Sequence, residues 1–118
     1  MNPREAGQRG EGIAARYLES HGWRILARGY RVRGGEIDLV AARDGMLAFV
    51  EVKTRRNRIL DDGRGAVGGA KQRRLTRAAG LFLASRRLGH MPCRFDVILI
   101  GGGEAEWDIV HIAGAFQA

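Results

Sequence analysis

Asp38 and the Glu51-Val52-Lys53 triplet have the residue types that bind a divalent cation and act on a phosphate, and a short turn brings them together. The runs Glu36-Ile37-Asp38-Leu39-Val40 and Met46-Leu47-Ala48-Phe49-Val50-Glu51-Val52-Lys53 are rich in strand formers. Asp44-Gly45 between them is a strong hairpin signal. With those two residues as the loop, Arg43 pairs with Met46, Val40 faces Phe49, Asp38 faces Glu51 and Glu36 faces Lys53. Side chains alternate along a strand, so Glu36, Asp38, Glu51 and Lys53 share one face, while Ile37, Leu39, Val50 and Val52 fill the other.

Opposed residues of a hairpin hold their Cβ atoms roughly 4.5–5.5 Å apart, where like charges repel unless a cation lies between them. Hard oxygen ligands beside a backbone carbonyl suit Mg²⁺ or Mn²⁺, with Lys53 supplying part of the positive charge. The same residues could instead form an edge ladder of ion pairs, Glu36 to Lys53 and Asp38 to a nearby arginine. A one-residue bulge would send the carboxylates to opposite faces.

Composition narrows the partner. A chain of 118 residues makes one domain, and 20 Lys and Arg against 13 Asp and Glu leave a net charge of +7. That balance favours a polyanion, nucleic acid before membrane. No apolar run approaches a spanning length, and Met1-Asn2-Pro3-Arg4-Glu5 lacks the hydrophobic stretch of a signal peptide, so a cytoplasmic location is expected. Cys93 is the single cysteine, and His21, His90 and His111 are scattered. No zinc-ligand spacing follows, and the histidines read as surface or core filler.

The elements that must hold the hairpin can be read in turn. Asn2 is a cap candidate for a helix with Pro3 at its first position, and Ile13, Ala14, Tyr17 and Leu18 recur at helical spacing before Gly22 ends it. Gly7, Gly10 and Gly12 each cost that helix roughly 1 kcal/mol against Ala, which suggests close approach of its backbone to the sheet or a ligand. Trp23 to Tyr30 reads as a first strand. After the hairpin, Arg55 to Gly69 reads as a mobile loop. In a second helix, Leu75, Ala78, Ala79, Phe82 and Leu83 make a buried stripe, and Lys71, Arg73, Arg74 and Arg77 fall on the solvated side. Strands Arg94–Ile100 and Glu106–Ile112 flank a turn at Gly101-Gly102-Gly103. The order is α-β-β-β-α-β-β.

Arg28, Arg31 and Arg33 lead into the Asp38 strand, and Arg55, Arg56 and Arg58 leave the Lys53 strand. Two basic groups converging on the carboxylate end of a hairpin would hold phosphates on either side of it. Trp23, Tyr30, Trp107 and Phe116 read as core and receive no nucleic-acid role.

Gly10-Glu11, Gly35-Glu36-Ile37-Asp38-Leu39, Phe49-Val50-Glu51-Val52-Lys53-Thr54-Arg55, Ala66-Val67 and Lys71 together resemble the bacterial YraN family, over nearly the whole chain. That family is similar to the PD-(D/E)XK, or restriction-endonuclease-like, nucleases and within them to archaeal Holliday junction resolvases, whose α-β-β-β-α-β core matches the order above. The resemblance implies an α/β domain with a mixed central sheet flanked by helices. It makes Asp38 and Glu51 metal ligands and Lys53 the catalytic lysine, with Glu11 beside the metal. The residue before Asp38 is Ile37 in place of the proline of the superfamily's name. The implied activity is Mg²⁺- or Mn²⁺-dependent hydrolysis of phosphodiester bonds in DNA, branched or junction DNA included, leaving a 5′-phosphate. Asp38, Glu51, the Val52 carbonyl and Glu11 would form the metal shell, and Arg31, Arg33, Arg55, Arg56, Arg58 and Lys71 would hold the nucleic acid. Resolvases of this kind work as two-fold homodimers. Two other readings stay open: a nucleic-acid-binding protein that keeps the fold without cutting, and a scaffold whose basic face docks an acidic protein.

Overall fold

Two sequence-distant runs of apolar residues, one on each helix, need a sheet between them, and that is how the chain folds. The computed structural model describes residues 3–55, 67–102 and 106–117. Its elements are α1 (Pro3–Ser20), β1 (Arg24–Val32), β2 (Gly35–Arg43), β3 (Met46–Thr54), α2 (Gly69–Ser85), β4 (Cys93–Gly102) and β5 (Trp107–Phe116). The five strands form one sheet in chain order. Neighbours are antiparallel except β3 and β4, which run parallel because α2 carries the chain back between them. This is the mixed α/β architecture and the α-β-β-β-α-β core expected from the sequence. The strands run longer than expected, because their ends are held by sheet pairing that local residue preference does not reveal.

Each helix covers one face. Ala14, Ala15 and Leu18 of α1 pack with Trp23, Leu39, Ala41, Ala48, Val50, Ile98 and Ile100. On the other face, Leu75, Ala78, Ala79 and Phe82 of α2 pack with Ile37, Val40, Phe49, Phe95, Val97 and Leu99. The α2 stripe is the one read from the sequence. Asn2, the expected cap of α1, lies outside the described residues, as does most of the expected loop at 56–66.

Two close approaches fix the helices against the strands that matter. A Cβ on Gly10 of α1 would collide with the Thr54 side chain at the end of β3, and one on Gly35 with the backbone oxygen of Arg74 in α2. Of the three glycines read as contact points in α1, only Gly10 is one; nothing lies within 4 Å of such an atom at Gly7 or Gly12. The hairpin turn is as expected. Asp44 and Gly45 both adopt positive φ, 50° and 77°, as a type I′ turn requires, and Arg43 pairs with Met46 and Val40 with Phe49.

Candidate active site

The β2–β3 ladder runs from Arg43–Met46 to Leu39–Val50 among the described pairs, and at Asp38 its character changes. Ile37 packs into the α2-facing core while Leu39 packs into the α1-facing one, although strict alternation would put both on one face. The strand therefore rotates at Asp38. The Asp38 carboxylate turns toward β3, where its Oδ2 accepts a 2.8 Å hydrogen bond from the Val52 N–H. This corrects one expectation: Ile37 does not share a face with Leu39, Val50 and Val52. Asp38 stays beside Glu51, and the bond from the β3 backbone partly relieves its charge.

Glu51 sits beside this contact, 4% exposed, on a strand whose neighbours Val50 and Val52 face α1, so that its own side chain faces α2. Its Oε1 lies 3.4 Å from Lys71 Nζ and 3.9 Å from Lys53 Nζ, while its buried Oε2 has no hydrogen-bond partner among the described residues. Burial, then the Asp38 charge, push the Glu51 carboxyl up to about 7 against the pull of Lys71 and Lys53. Asp38 is also raised, by burial first, with the Val52 N–H and Lys71 holding it back. The two carboxyls titrate as an interacting pair, each raised chiefly by burial.

Lys71 overturns its expected place. Read as solvated, it instead reaches from the first turn of α2 into the site with a side chain 24% exposed, bridging Glu36 Oε1 and Glu51 Oε1 at 3.4 Å each. Its long aliphatic stem lets a helix residue near the sheet deliver a cation over the apolar stripe. The Glu36–Lys53 ladder is replaced accordingly: Glu36 pairs with Lys71 and, at 3.5 Å, with Arg31. Lys53 keeps a more open position, with a side chain 40% exposed.

Glu11 approaches from α1. Its carboxyl is raised by burial, then by Asp38 and Glu36, and lowered by Arg28 and Arg31, which puts it within electrostatic reach of Asp38 and Glu36. It lines a polar cleft of about 520 Å³ with Arg4, Gln8, Arg28 and Arg31. Among the described residues, no three His, Cys, Asp or Glu side chains converge closely enough to make a ready ligand set for one ion. Arg31 stands at the site through Glu36, and Arg33 and Arg55 are exposed at the ends of β1 and β3. Arg77 of α2 donates from Nε to the Arg33 carbonyl at 2.6 Å. Arg56 and Arg58 lie outside the described residues.

A second polar cluster escaped sequence reasoning. Asp96 is 1% exposed on the α1 side of β4, and its carboxylate receives His111 Nε2 at 2.7 Å, Arg94 Nε at 3.2 Å and the Gly114 N–H at 3.0 Å. Because a carboxylate only accepts, His111 carries a proton on Nε2, and its Nδ1 lies 3.2 Å from the Tyr17 hydroxyl. His111 is thus a partner of a buried charge. Burial alone would raise Asp96, but the bonds from His111, Gly114 and Arg94 outweigh it and hold it below the ordinary value. The available signal was a lone acid inside the apolar run Phe95-Asp96-Val97-Ile98-Leu99-Ile100.

Comparison with known proteins agrees with the motifs. The chain is 51% identical over 100 residues to a UPF0102 protein of Symbiobacterium thermophilum, covering 85% of each chain. It is 48% identical over 111 residues to one of Syntrophotalea carbinolica, covering 94% of this chain and 90% of that one. With one of Myxococcus xanthus it shares 43% over 115 residues, covering 98% and 91%. The sequence profile described as Uncharacterised protein family UPF0102 matches residues 10–100, a span that holds Glu11, Asp38, Glu51, Lys53 and Lys71. The chain belongs to the UPF0102 family, the same family that its motifs resemble under the name YraN.

Proposed function

We propose that this protein is a metal-dependent nuclease that hydrolyses phosphodiester bonds of DNA, with Asp38, Glu51 and Lys53 as its working groups. The observation that carries the reading is Glu51: a buried carboxylate beside Asp38, with one oxygen left without a partner, is a costly arrangement unless something cationic takes that oxygen. The donor set fits a hard cation. Asp38, Glu51 and the Val52 carbonyl are all oxygen ligands, and the Val52 carbonyl leaves β3 on the same side as the N–H that holds Asp38. Mg²⁺ or Mn²⁺ bound there would polarise a phosphate oxygen and acidify a water.

The chain's own groups supply the rest. The Val52 N–H fixes the Asp38 carboxylate, leaving its other oxygen for a ligand. Lys53, more open to solvent than Lys71, orients or deprotonates the attacking water and faces the charge that builds on the phosphate. Lys71 holds Glu51 and Glu36, so its part is to position the carboxylate, beyond the nucleic-acid contact expected of it. Glu11 adds negative charge from α1, and Arg31, Arg33 and Arg55 hold backbone phosphates on either side.

A second reading has its own support. Lys71 and Lys53 already offset much of the Glu51 charge, and no three acids converge among the described residues, which suits a DNA-binding protein that keeps the nuclease fold without cutting. Branched and linear DNA and RNA, incubated with Mg²⁺, Mn²⁺ or EDTA, separate the two. Asp38→Asn, which can still accept the Val52 bond, should abolish metal-dependent cleavage and leave binding in EDTA intact or slightly tighter. Lys53→Ala should spare metal binding and slow the chemical step. An Asp38→Asn protein that cuts like the parent, or a parent that cuts nothing in the panel, makes the binding protein the better reading.

A further inference from the structure

On the far side of α1 from the Glu11 cleft lies a second, smaller one of about 200 Å³, below the usual size of a drug-like ligand pocket. Its wall is apolar and aromatic: Ile13, Ile100 and Trp107, with Gly10 allowing α1 to sit close to the sheet. Arg9 and Arg55 also line it. The Arg9 guanidinium stands over the Trp107 indole, 5.1 Å from the ring centre, and both arginines are exposed. Asp108 alternates to the opposite face of β5, where Val110 and Ile112 join the α2-side core.

We propose that this cleft takes one unpaired nucleotide of the DNA, its base against Trp107 and its phosphate between Arg9 and Arg55, so that the preferred substrate carries a single-stranded segment beside the scissile phosphate. An aromatic face with basic residues beside it is the physical recipe for single-strand binding, since every base has a π face and every nucleotide a negative charge. The cleft is too small for a base pair. A base that takes the indole face frees the Arg9 guanidinium for the phosphate. Arg55 follows Lys53 by two residues, about 7 Å along the strand, so the mouth of the cleft opens at the end of β3 that carries Lys53, on the α1 side of the sheet, whereas Glu51 faces the α2 side. The inference deepens the nuclease reading and rests on its DNA-binding half.

The test uses the whole chain in EDTA, so that no cutting is required. Trp107 is partly exposed and Trp23 is 4% exposed, and these are the only two tryptophans. Titration with oligo-dT should quench tryptophan fluorescence in the parent and in Trp23→Phe, and matched duplex should quench little. Trp107→Leu should lose the quench and bind oligo-dT about tenfold more weakly, with duplex affinity unchanged, while Trp107→Phe keeps most of the oligo-dT affinity. Thermal melting of each variant checks that folding is retained, and the Phe variant carries the test if the Leu variant melts early. Unchanged fluorescence with oligo-dT, or equal losses for oligo-dT and duplex in Trp107→Leu, overturns the proposal. Metal-dependent cleavage abolished by Asp38→Asn but indifferent to substrate form in the parent would leave the nuclease standing and remove this cleft's role. A protein that cuts nothing yet shows the Trp107-dependent quench would remove the nuclease and keep the cleft.

Discussion

Glu51 concentrates the tension of the site. Its carboxyl is held at about 7 in the folded protein against an ordinary 4.5, so between those values the folded state binds more protons than the unfolded chain. Stability then falls as pH rises through that window, the reverse of a carboxylate whose value is depressed by a salt bridge. In EDTA, the melting temperature of the parent should decline from pH 4.5 to pH 8 relative to Glu51→Gln, which has no proton to lose. Millimolar Mg²⁺ or Mn²⁺ should offset the decline in the parent alone, because a bound cation favours the ionised carboxylate. Parallel pH profiles for the two proteins would show that Glu51 ionises without cost and would remove the main argument for a cation there. Asp96 makes the opposite case. Its value is depressed, so its contribution is present above the ordinary carboxylate range and lost as pH falls through the folded value. With its side chain fully buried, Asp96→Ala strands Arg94, His111 and the Gly114 N–H, and should cost about 3–5 kcal/mol in urea unfolding at pH 7. A loss under about 1 kcal/mol would mean that water replaces those contacts.

The elements hold the site through two backbone approaches, and glycine substitutions separate them from ordinary helix propensity. At Gly12, where nothing crowds an added Cβ, alanine should stabilise α1 by about 0.5–1 kcal/mol. Gly35→Ala should destabilise by about 1–3 kcal/mol, since the atom in its way is the Arg74 backbone oxygen, which cannot rotate aside. Equal effects at the two positions would count against the tight α2–β2 contact. The sequence carried the hairpin from its turn out to Leu39: Asp44-Gly45 and the count to Val40–Phe49 are local quantities, and they set Asp38 near Glu51. It carried the α2 stripe for the same reason. What it could not carry was the rotation at Asp38, because a strand's departure from alternation is decided by the two helices packed on its faces. Lys71 was misplaced on similar grounds. Helical periodicity assigns a residue to a face, but a four-carbon stem at the helix start can cross from that face into the sheet. Asp96 and His111, 15 residues apart in sequence, meet through the β4–β5 register, and the irregularity of β5 beyond Ile112 brings the Gly114 N–H, at a φ of 60° that no pattern in the strand announces, onto the same carboxylate.

At the scale of the whole molecule, the +7 charge acquires a direction. Arg4, Arg28 and Arg31 line the Glu11 cleft, Arg9 and Arg55 the Trp107 cleft, and Lys53 stands on β3 next to Thr54 of the second cleft. No helix among the described residues is long and apolar enough to cross a membrane, and Leu81 is the one large apolar side chain among them left exposed. On the proposed reading this surface meets the phosphates of DNA. If about five of these cations each neutralise one phosphate of duplex DNA, the logarithm of the affinity should fall with the logarithm of salt at a slope of about −4.5, a loss of several hundredfold between about 50 and 200 mM. Arg31→Ala and Arg55→Ala should each make that slope shallower by about 0.9. Arg86 provides the control. It follows the last turn of α2, with its guanidinium 4.7 Å from the Phe82 ring centre. Fifteen residues of helical rise put it about 22 Å from Lys71. Arg86→Ala should therefore lower affinity slightly through net charge alone and leave the slope unchanged. A slope near zero in the parent, or the same change of slope in all three variants, would show that DNA does not follow the line drawn by the two clefts.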